Sequence, residues 1–430
     1  MSKPICLFLS LLCLSGAASA QTDTLTLDET IHRVVTTYPS VRQAEEAVKS
    51  AGYNVKMARA ALLPVLNASA TYTRVEPVAT VHFDDLDLSL SPKNNYDAGL
   101  SLRQLIYDFG KNRPKIEAAK AREEAARLQQ DELYQSLALN TVQLYYLNSF
   151  TRQAILIKQQ ELGDYEEMLR QAEIRTRTGS STTFDLLNTQ VSQSAVNTQL
   201  TGLRSNLRTL QVQLSVLADT TVTETLLLSS GFEINPNLSS LADLLATAYT
   251  SRPEMEFADK QISVAQLEES AARRAYNPSL DLSAAAGGKN GYPLHIDRMK
   301  LNYEAGLTLS IPLYEGGRRK QTASLARSAY NTAVFQKELI EKQVKQQVSE
   351  NFYTLQSDYE KIGQLSRQVT LAQKAYDQAK VNYQAGAITN LELLTSSTNL
   401  SGSRLQLLQS QINYLVNYYK LRVSVGERIW

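Results

Sequence analysis

Histidine and cysteine, the commonest metal-ligating and nucleophilic side chains, are scarce in this chain. The sequence has three histidines, His32, His82 and His295, and two cysteines, Cys6 and Cys13. None of the histidines has a partner at metal-ligand spacing, so each reads as a surface or packed residue. Asp108-Phe109-Gly110 imitates a kinase metal-binding triplet, but no glycine-rich phosphate loop or catalytic-loop motif accompanies it. No nucleophile elbow, Walker loop or dinucleotide fingerprint is present. The expectation is a protein that is not an enzyme, with no cofactor and no metal. Two carboxylates remain, Asp185 and Glu392, each six residues after a glycine, Gly179 and Gly386. A carboxylate in the first turn of a helix is favoured by the helix dipole, so alone they mark no more than two helix starts.

Their positions gain meaning from the elements around them. Tyr96–Arg113 returns in nearly the same form as Tyr303–Lys320, a shift of 207. The same shift carries Gly179–Leu187 onto Gly386–Leu394, and Asp108-Phe109-Gly110 onto Glu315-Gly316-Gly317, which makes that triplet a strand-to-helix turn. A chain built from two copies of one unit must be read through that unit. Residues 27–63 and 241–276 read as helix, with Pro39 and Pro253 near the starts and Pro64 and Pro278 at the stops. Those proline pairs lie 214 apart, so the first copy is seven residues longer before its second strand, an insertion suited to a surface loop.

Each copy then has two strands of strict period-2 alternation. Leu301, Tyr303, Ala305, Leu307 and Leu309 alternate with Asn302, Glu304, Gly306 and Thr308; Leu280, Leu282 and Ala284 with Asp281 and Ser283; Leu66, Ala68, Ala70 and Tyr72 with Asn67, Ser69 and Thr71; Tyr96, Ala98, Leu100 and Leu102 with Asp97, Gly99 and Ser101. At around ten residues each they have the length of tilted membrane strands. One such hairpin also fits a half-buried soluble sandwich; four matched strands after an export signal favour the membrane. Long runs follow, 114–178 with no proline after Pro114 and 318–385 with none, each about 100 Å if helical. Helices of that length pack along their sides as coiled coils, and Val348, Leu355, Ile362, Val369, Tyr376 and Tyr383 recur at heptad spacing, as do Ile155, Leu162 and Leu169. Gly179 and Gly386 end the two runs as left-handed stops, and Thr183 and Asn390 are the expected caps of the returning helices.

The expected organisation is therefore an export signal over 1–20; a first repeat over 21–219, with strands at about 65–75 and 96–107 and long helices at about 114–178 and 184–217; a linker over 220–240; and a second repeat over 241–430, with strands at about 279–287 and 301–313 and long helices at about 318–385 and 391–425. Both cysteines fall in the export signal. Without it the formal charge is zero, so no basic balance argues for nucleic acid, and no later apolar run approaches the roughly 20 residues of a membrane helix. Four membrane strands cannot close a barrel, and an open edge in lipid leaves backbone groups unpaired. Two or more chains must share one barrel; this argument leaves the number open.

With its duplication, its two strand-to-helix motifs (Gln104–Gly110 and Ile311–Gly317) and its two glycine turns, the chain resembles the TolC family of outer-membrane efflux and export channels from about Leu25 to Gly426. The resemblance implies a fold that is mainly α with a β membrane barrel: a homotrimer whose twelve strands form the barrel and whose helices form a periplasmic tunnel. It implies a passive outer-membrane channel in contact with outer-membrane lipid, docked to a periplasmic adaptor protein and an inner-membrane transporter of RND or ABC type. Gly179, Leu186, Leu187, Gly386, Leu393 and Leu394 would belong to the docking tips. Asp185 and Glu392 would line the closed aperture, with Asn188 and Thr395 at a second lining position that is acidic in other members. Tyr383 matches a tyrosine that can bond the first-copy acid, and Ile388 stands where some members hold the closed state with an arginine. Drug or metal efflux and type I protein secretion both remain open. Two rivals from other classes, a trimeric surface fibre and a soluble periplasmic adaptor, lack duplicated hairpins each followed by long helices.

Overall fold

The computed structural model of the protein describes residues 26–83, 86–220, 239–293 and 295–430, with side chains left undescribed over 82–88. The export signal, nearly all of the 220–240 linker and the side chain of His82 lie outside the described residues. The elements of the first copy are α1 (Leu27–Thr37), α2 (Pro39–Ala60), β1 (Val65–Arg74), β2 (Thr80–Phe83), β3 (Leu86–Ser89), β4 (Asn94–Tyr107), α3 (Arg113–Arg177) and α4 (Thr183–Ala218). Those of the second are α5 (Leu241–Ser251), α6 (Pro253–Arg274), β5 (Ser279–Lys289), β6 (Lys300–Ser310), α7 (Arg318–Gln384) and α8 (Asn390–Ser424).

The expected first helix of each copy is two helices. Pro39 and Pro253 sit at the start of α2 and α6, and the residues before them, Tyr38 and Arg252, are extended with ψ of 134° and 130°. A proline ring disfavours the helical conformation in its predecessor, so the break falls there. The extra length of the first copy holds the small β2–β3 hairpin, whose four-residue strands are too short for alternation to announce. β6 ends at Ser310 rather than near 313, since Pro312 has no N–H for a ladder.

Two compact units divide the chain. Among the described residues, one comprises 26–34, 141–220 and 367–412; the other comprises 35–83, 86–140, 239–293, 295–366 and 413–430. The second contains one antiparallel sheet in the order β1-β4-β5-β6, so β1 and β6 are its edges. Register aligns the two faces across all four strands. Leu66, Leu102, Ala284 and Ala305 form one apolar row, and Ala68, Leu100, Ala286 and Tyr303 the next. The other face carries Asn67, Ser101, Ala285 and Glu304 in one row and Thr71, Asp97, Lys289 and Lys300 in another. The polar face is the concave one: a hollow of about 630 Å³ is lined mainly by its residues, among them Asn67, Arg103, Ser283 and Glu304. At the centre, where the two copies meet, Gly99 faces Gly287, and a methyl group on Gly287 would stand 2.4 Å from the Ala98 carbonyl oxygen. In the first unit the long helices share one core: Ile155, Tyr165, Met168, Val196, Leu200, Tyr376, Tyr383 and Leu400 form one buried cluster with Leu162 against it, while the heptad positions Leu169 and Val369 are half-buried.

Candidate functional site

The two glycine turns lie together in the first unit. At the end of α3, Gly179 has φ of 71°, its N–H bonds to the Thr176 carbonyl, and the Ser180 N–H reaches back to Arg175. At the end of α7, Gly386 has φ of 74°, with the corresponding bonds to Tyr383 and from Ala387 to Asn382. Both are Schellman stops, in which a left-handed residue satisfies the last helical carbonyls.

The caps that follow are Thr182 and Thr389, one residue before the expected Thr183 and Asn390. Thr182 Oγ1 accepts from the Asp185 N–H at 3.2 Å, while Asp185 Oδ2 accepts from the Thr182 N–H, the Thr182 hydroxyl and the Ser181 hydroxyl at 3.2, 2.8 and 3.0 Å. Thr389 Oγ1 accepts from the Glu392 N–H at 3.3 Å, and Glu392 Oε2 accepts from the Thr389 N–H and hydroxyl at 2.7 and 2.8 Å. These are reciprocal capping boxes. They hold both carboxyls below their ordinary range, Asp185 chiefly through the Thr182 hydroxyl and Glu392 chiefly through the Thr389 backbone N–H. Both acids are thus anionic at neutral pH, and each has a local structural role.

Freed from capping, Asn390 ties the two turns together. Its Nδ2 donates across to the Asp185 carbonyl at 3.1 Å and to Thr189 Oγ1 at 2.8 Å, and the residue is buried. A second tie runs the other way. Arg175 donates from its guanidinium to the carbonyls of Tyr383 at 2.8 Å and Gln384 at 3.2 Å, and lies over the Tyr383 ring at 4.3 Å from its centroid. A cation at a helix C-terminus, stacked on an aromatic face, is favourable on both counts. The bond from Tyr383 to Asp185 that the resemblance suggests is not made. The Asp185 side chain is occupied by its own cap, and the Tyr383 hydroxyl is buried without a hydrogen bond of normal geometry. Burial raises the Tyr383 phenol, with the Arg175 charge opposing and the Asp185 charge adding to it.

The remaining candidates divide. Leu393 and Leu394 are 2% and 4% exposed and belong to the core cluster; they pack inward and offer nothing to a docking partner. Leu186 and Asn188 are half-buried, whereas Leu187, Thr395 and both glycines are exposed. Ile388 packs against the core cluster. The exposed apolar surface here is Phe184, Leu187 and Val191 on α4 with Leu391 on α8; the first three recur at helical spacing, a signal present in the sequence. Arg175 and Asn390 were not to be found that way, because each acts on a helix some two hundred residues distant.

Farther along the same unit, Glu161 is buried between α3 and α8. It accepts from Lys158 at 2.7 Å, from Ser401 at 2.6 Å and from the Tyr165 hydroxyl at 3.3 Å, and that hydroxyl lies 2.8 Å from Thr398 Oγ1. Burial pushes the Tyr165 phenol up to about 12. Nearby Asp164 is held above its ordinary range by loss of water, with a hydrogen bond from Tyr376 offsetting part of it. Among the described residues, no group of three or more His, Cys, Asp or Glu could hold a metal ion.

The profile of the family described as Outer membrane efflux protein matches the chain twice, over residues 30–218 and 244–427. Outer membrane protein TolC of Escherichia coli is 25% identical over 413 residues, covering 90% of this chain and 79% of that protein. The Pyoverdine export outer membrane protein OpmQ of Pseudomonas aeruginosa is 25% identical over 412 residues, covering 92% and 84%. In fold, the chain is similar to the outer membrane protein VceC of Vibrio cholerae (TM-score 0.78, 19% identity, 94% and 97% covered) and to the open state of the MtrE channel of Neisseria gonorrhoeae (TM-score 0.77, 18% identity, 93% and 89% covered). The twofold match spans both copies of the repeat, and the chain belongs to the outer membrane efflux protein family.

Proposed function

We propose that the protein is the outer-membrane exit duct of a tripartite efflux assembly: a passive channel of three identical chains, supplied by an inner-membrane transporter through a periplasmic adaptor. The observation that carries this reading is the sheet. Its four strands present aligned apolar rows on the convex side, with Leu301 94% and Tyr303 88% exposed, and leave β1 and β6 unpaired at the edges. Exposed apolar strands suit lipid, and unpaired edges in lipid are untenable. Pairing β6 of one chain with β1 of the next removes every edge, and three chains give twelve strands. Three chains would also repeat the turns at Gly179 and Gly386 three times; Asp185 and Glu392 would then line the periplasmic aperture as rings, with Asn188, Thr395 and Tyr383 as further lining residues. Phe184, Leu186, Leu187, Val191 and Leu391 would supply the apolar surface of the adaptor-docking tips. Efflux is favoured over type I secretion by the family to which the chain belongs.

Purified protein in detergent should have the mass of a folded trimer and, in a planar bilayer, give discrete ohmic current steps. A monodisperse folded monomer, or a folded trimer with no conductance, would remove the reading.

A further inference from the structure

The polar face of the sheet has one unusual position. Lys289 ends β5 and Lys300 begins β6, and they are direct register partners. Like charges facing each other across two strands destabilise the pair, so this is a place where local preference is set against something else. The segment between them is ordered around the two lysines. Asn290, buried, accepts from the Tyr96 N–H at 2.8 Å and donates to the Asn94 carbonyl at 2.7 Å, continuing the sheet; the Gly291 N–H bonds to the Ile296 carbonyl at 2.7 Å. This places Tyr292 so that the Lys289 and Lys300 ammonium groups lie 5.6 and 5.9 Å from the centre of its ring. Both are within cation–π range. A ring face orients a cation without cancelling its charge, unlike a carboxylate. Neither lysine is in an ion pair among the described residues. The next member of the row, Asp97, faces Lys289 and leaves the row with a net positive charge.

We propose that this row is a binding subsite for polyvalent, phosphate- or sulfate-bearing anions, placed on the lumen face at the loop end of the barrel. It rests on the pore reading above, because the three chains of a closed barrel would repeat the row as six lysines and three aspartates around one opening. Lipid phosphates are the wrong source, since the lysines share the concave face with Asn67, Ser101 and Glu304 rather than the apolar face. Anionic solute passing through the lumen is the occupant.

Inositol hexakisphosphate is a suitable probe. At about 0.1 M salt, where charges act over about 10 Å, it should bind the detergent-solubilised trimer by titration calorimetry and block single-channel current when added from one side only. Raising the salt to about 1 M should abolish both effects. Lys289→Gln with Lys300→Gln should weaken binding and block at least tenfold while leaving trimer mass and open-channel conductance steps as in wild type. Tyr292→Leu, which keeps both charges but removes their support, should weaken binding less. A conducting wild-type channel that binds no probe, or block that survives in the double variant, overturns the subsite and leaves the pore intact. A folded trimer with no conductance removes the pore reading and this inference with it.

Discussion

At the scale of single residues, Arg175 and Tyr383 decide how the two turns are held. Tyr383 contributes its ring and its backbone carbonyl to Arg175, and its hydroxyl makes no hydrogen bond of normal geometry, only a weaker contact with the Arg175 side chain. Tyr383→Phe is therefore expected to leave the fraction of time the channel is open close to wild type, since the buried hydroxyl it removes makes no hydrogen bond of normal geometry. Arg175→Ala removes two charge-assisted hydrogen bonds, each worth about 1.5–3 kcal/mol, and a stacked cation worth roughly 0.5–2 kcal/mol. It should raise the open fraction markedly without dissociating the trimer. Arg175→Lys should behave more like the alanine variant than like wild type, because an ammonium cannot fork to two carbonyls and stack at once. Single-channel recordings of the three variants check this; a large effect of Tyr383→Phe with none of Arg175→Ala would reverse the assignment. The acids show the same division between chemistry and structure. Asp185 and Glu392 had two readings, aperture lining and first-turn capping, and the capping boxes make the second real without removing the first.

At the scale of elements, what was legible in the sequence follows from where the determining contacts lie. Strand identity and alternation depend on some ten neighbouring residues, so β1, β4, β5 and β6 could be read directly, apart from the end of β6, which stops at Ser310 short of Pro312. The long helices followed from the absence of proline and from heptads such as Val348, Leu355 and Ile362, all of which are buried. The β2–β3 hairpin was missed because four residues give too little periodicity, and the caps were placed one residue late because Thr182-Thr183 and Thr389-Asn390 each offer two adjacent capping side chains. The ties between hairpins were invisible, since Arg175–Tyr383 and Asn390–Thr189 depend on the rotation of one hairpin against another. The buried groups between those helices give a prediction with opposite signs. Asp164 has its pKa raised by burial, so its contribution to stability is full below the ordinary carboxyl range near 4 and is lost as pH rises through the raised value. Asp185 has its pKa lowered, so the contribution of its cap is full at neutral pH and is lost as pH falls through that lower value. Asp164→Asn should thus raise the thermal midpoint at neutral pH and leave it nearly unchanged at about pH 3. Asp185→Asn should lower the midpoint at neutral pH, and its difference from wild type should shrink on acidification. Equal shifts at both pH values in either variant would place these carboxyls in different surroundings.

At the scale of the whole molecule, the face assignment of the sheet is the decisive physical claim, because the barrel, the trimer and the direction of the lumen depend on it. Neighbouring residues on β6 separate its two sides. Leu307 stands on the apolar face opposite Leu282 and is 67% exposed in the single chain, while Thr308 stands on the polar face opposite Asp281. In a soluble sandwich the apolar face would be covered by protein, and a charge there would unfold a core. In a barrel the apolar face meets lipid, where an arginine costs about 2–4 kcal/mol near the midplane and little near the interfaces. Leu307→Arg is accordingly expected to reduce the yield of folded, membrane-inserted trimer, with the loss growing when the same change is made nearer the middle of the strand, at Ala305. Thr308→Arg should assemble normally and change ion selectivity instead, since a charge on the lumen side is solvated and acts on passing ions. Heat-modifiable trimer on gels measures the first effect and reversal potential in a salt gradient measures the second. If Thr308→Arg abolished assembly while Leu307→Arg left trimer and selectivity unchanged, the faces would be exchanged, and the concave hollow beside Arg103 and Glu304 would lie outside the channel.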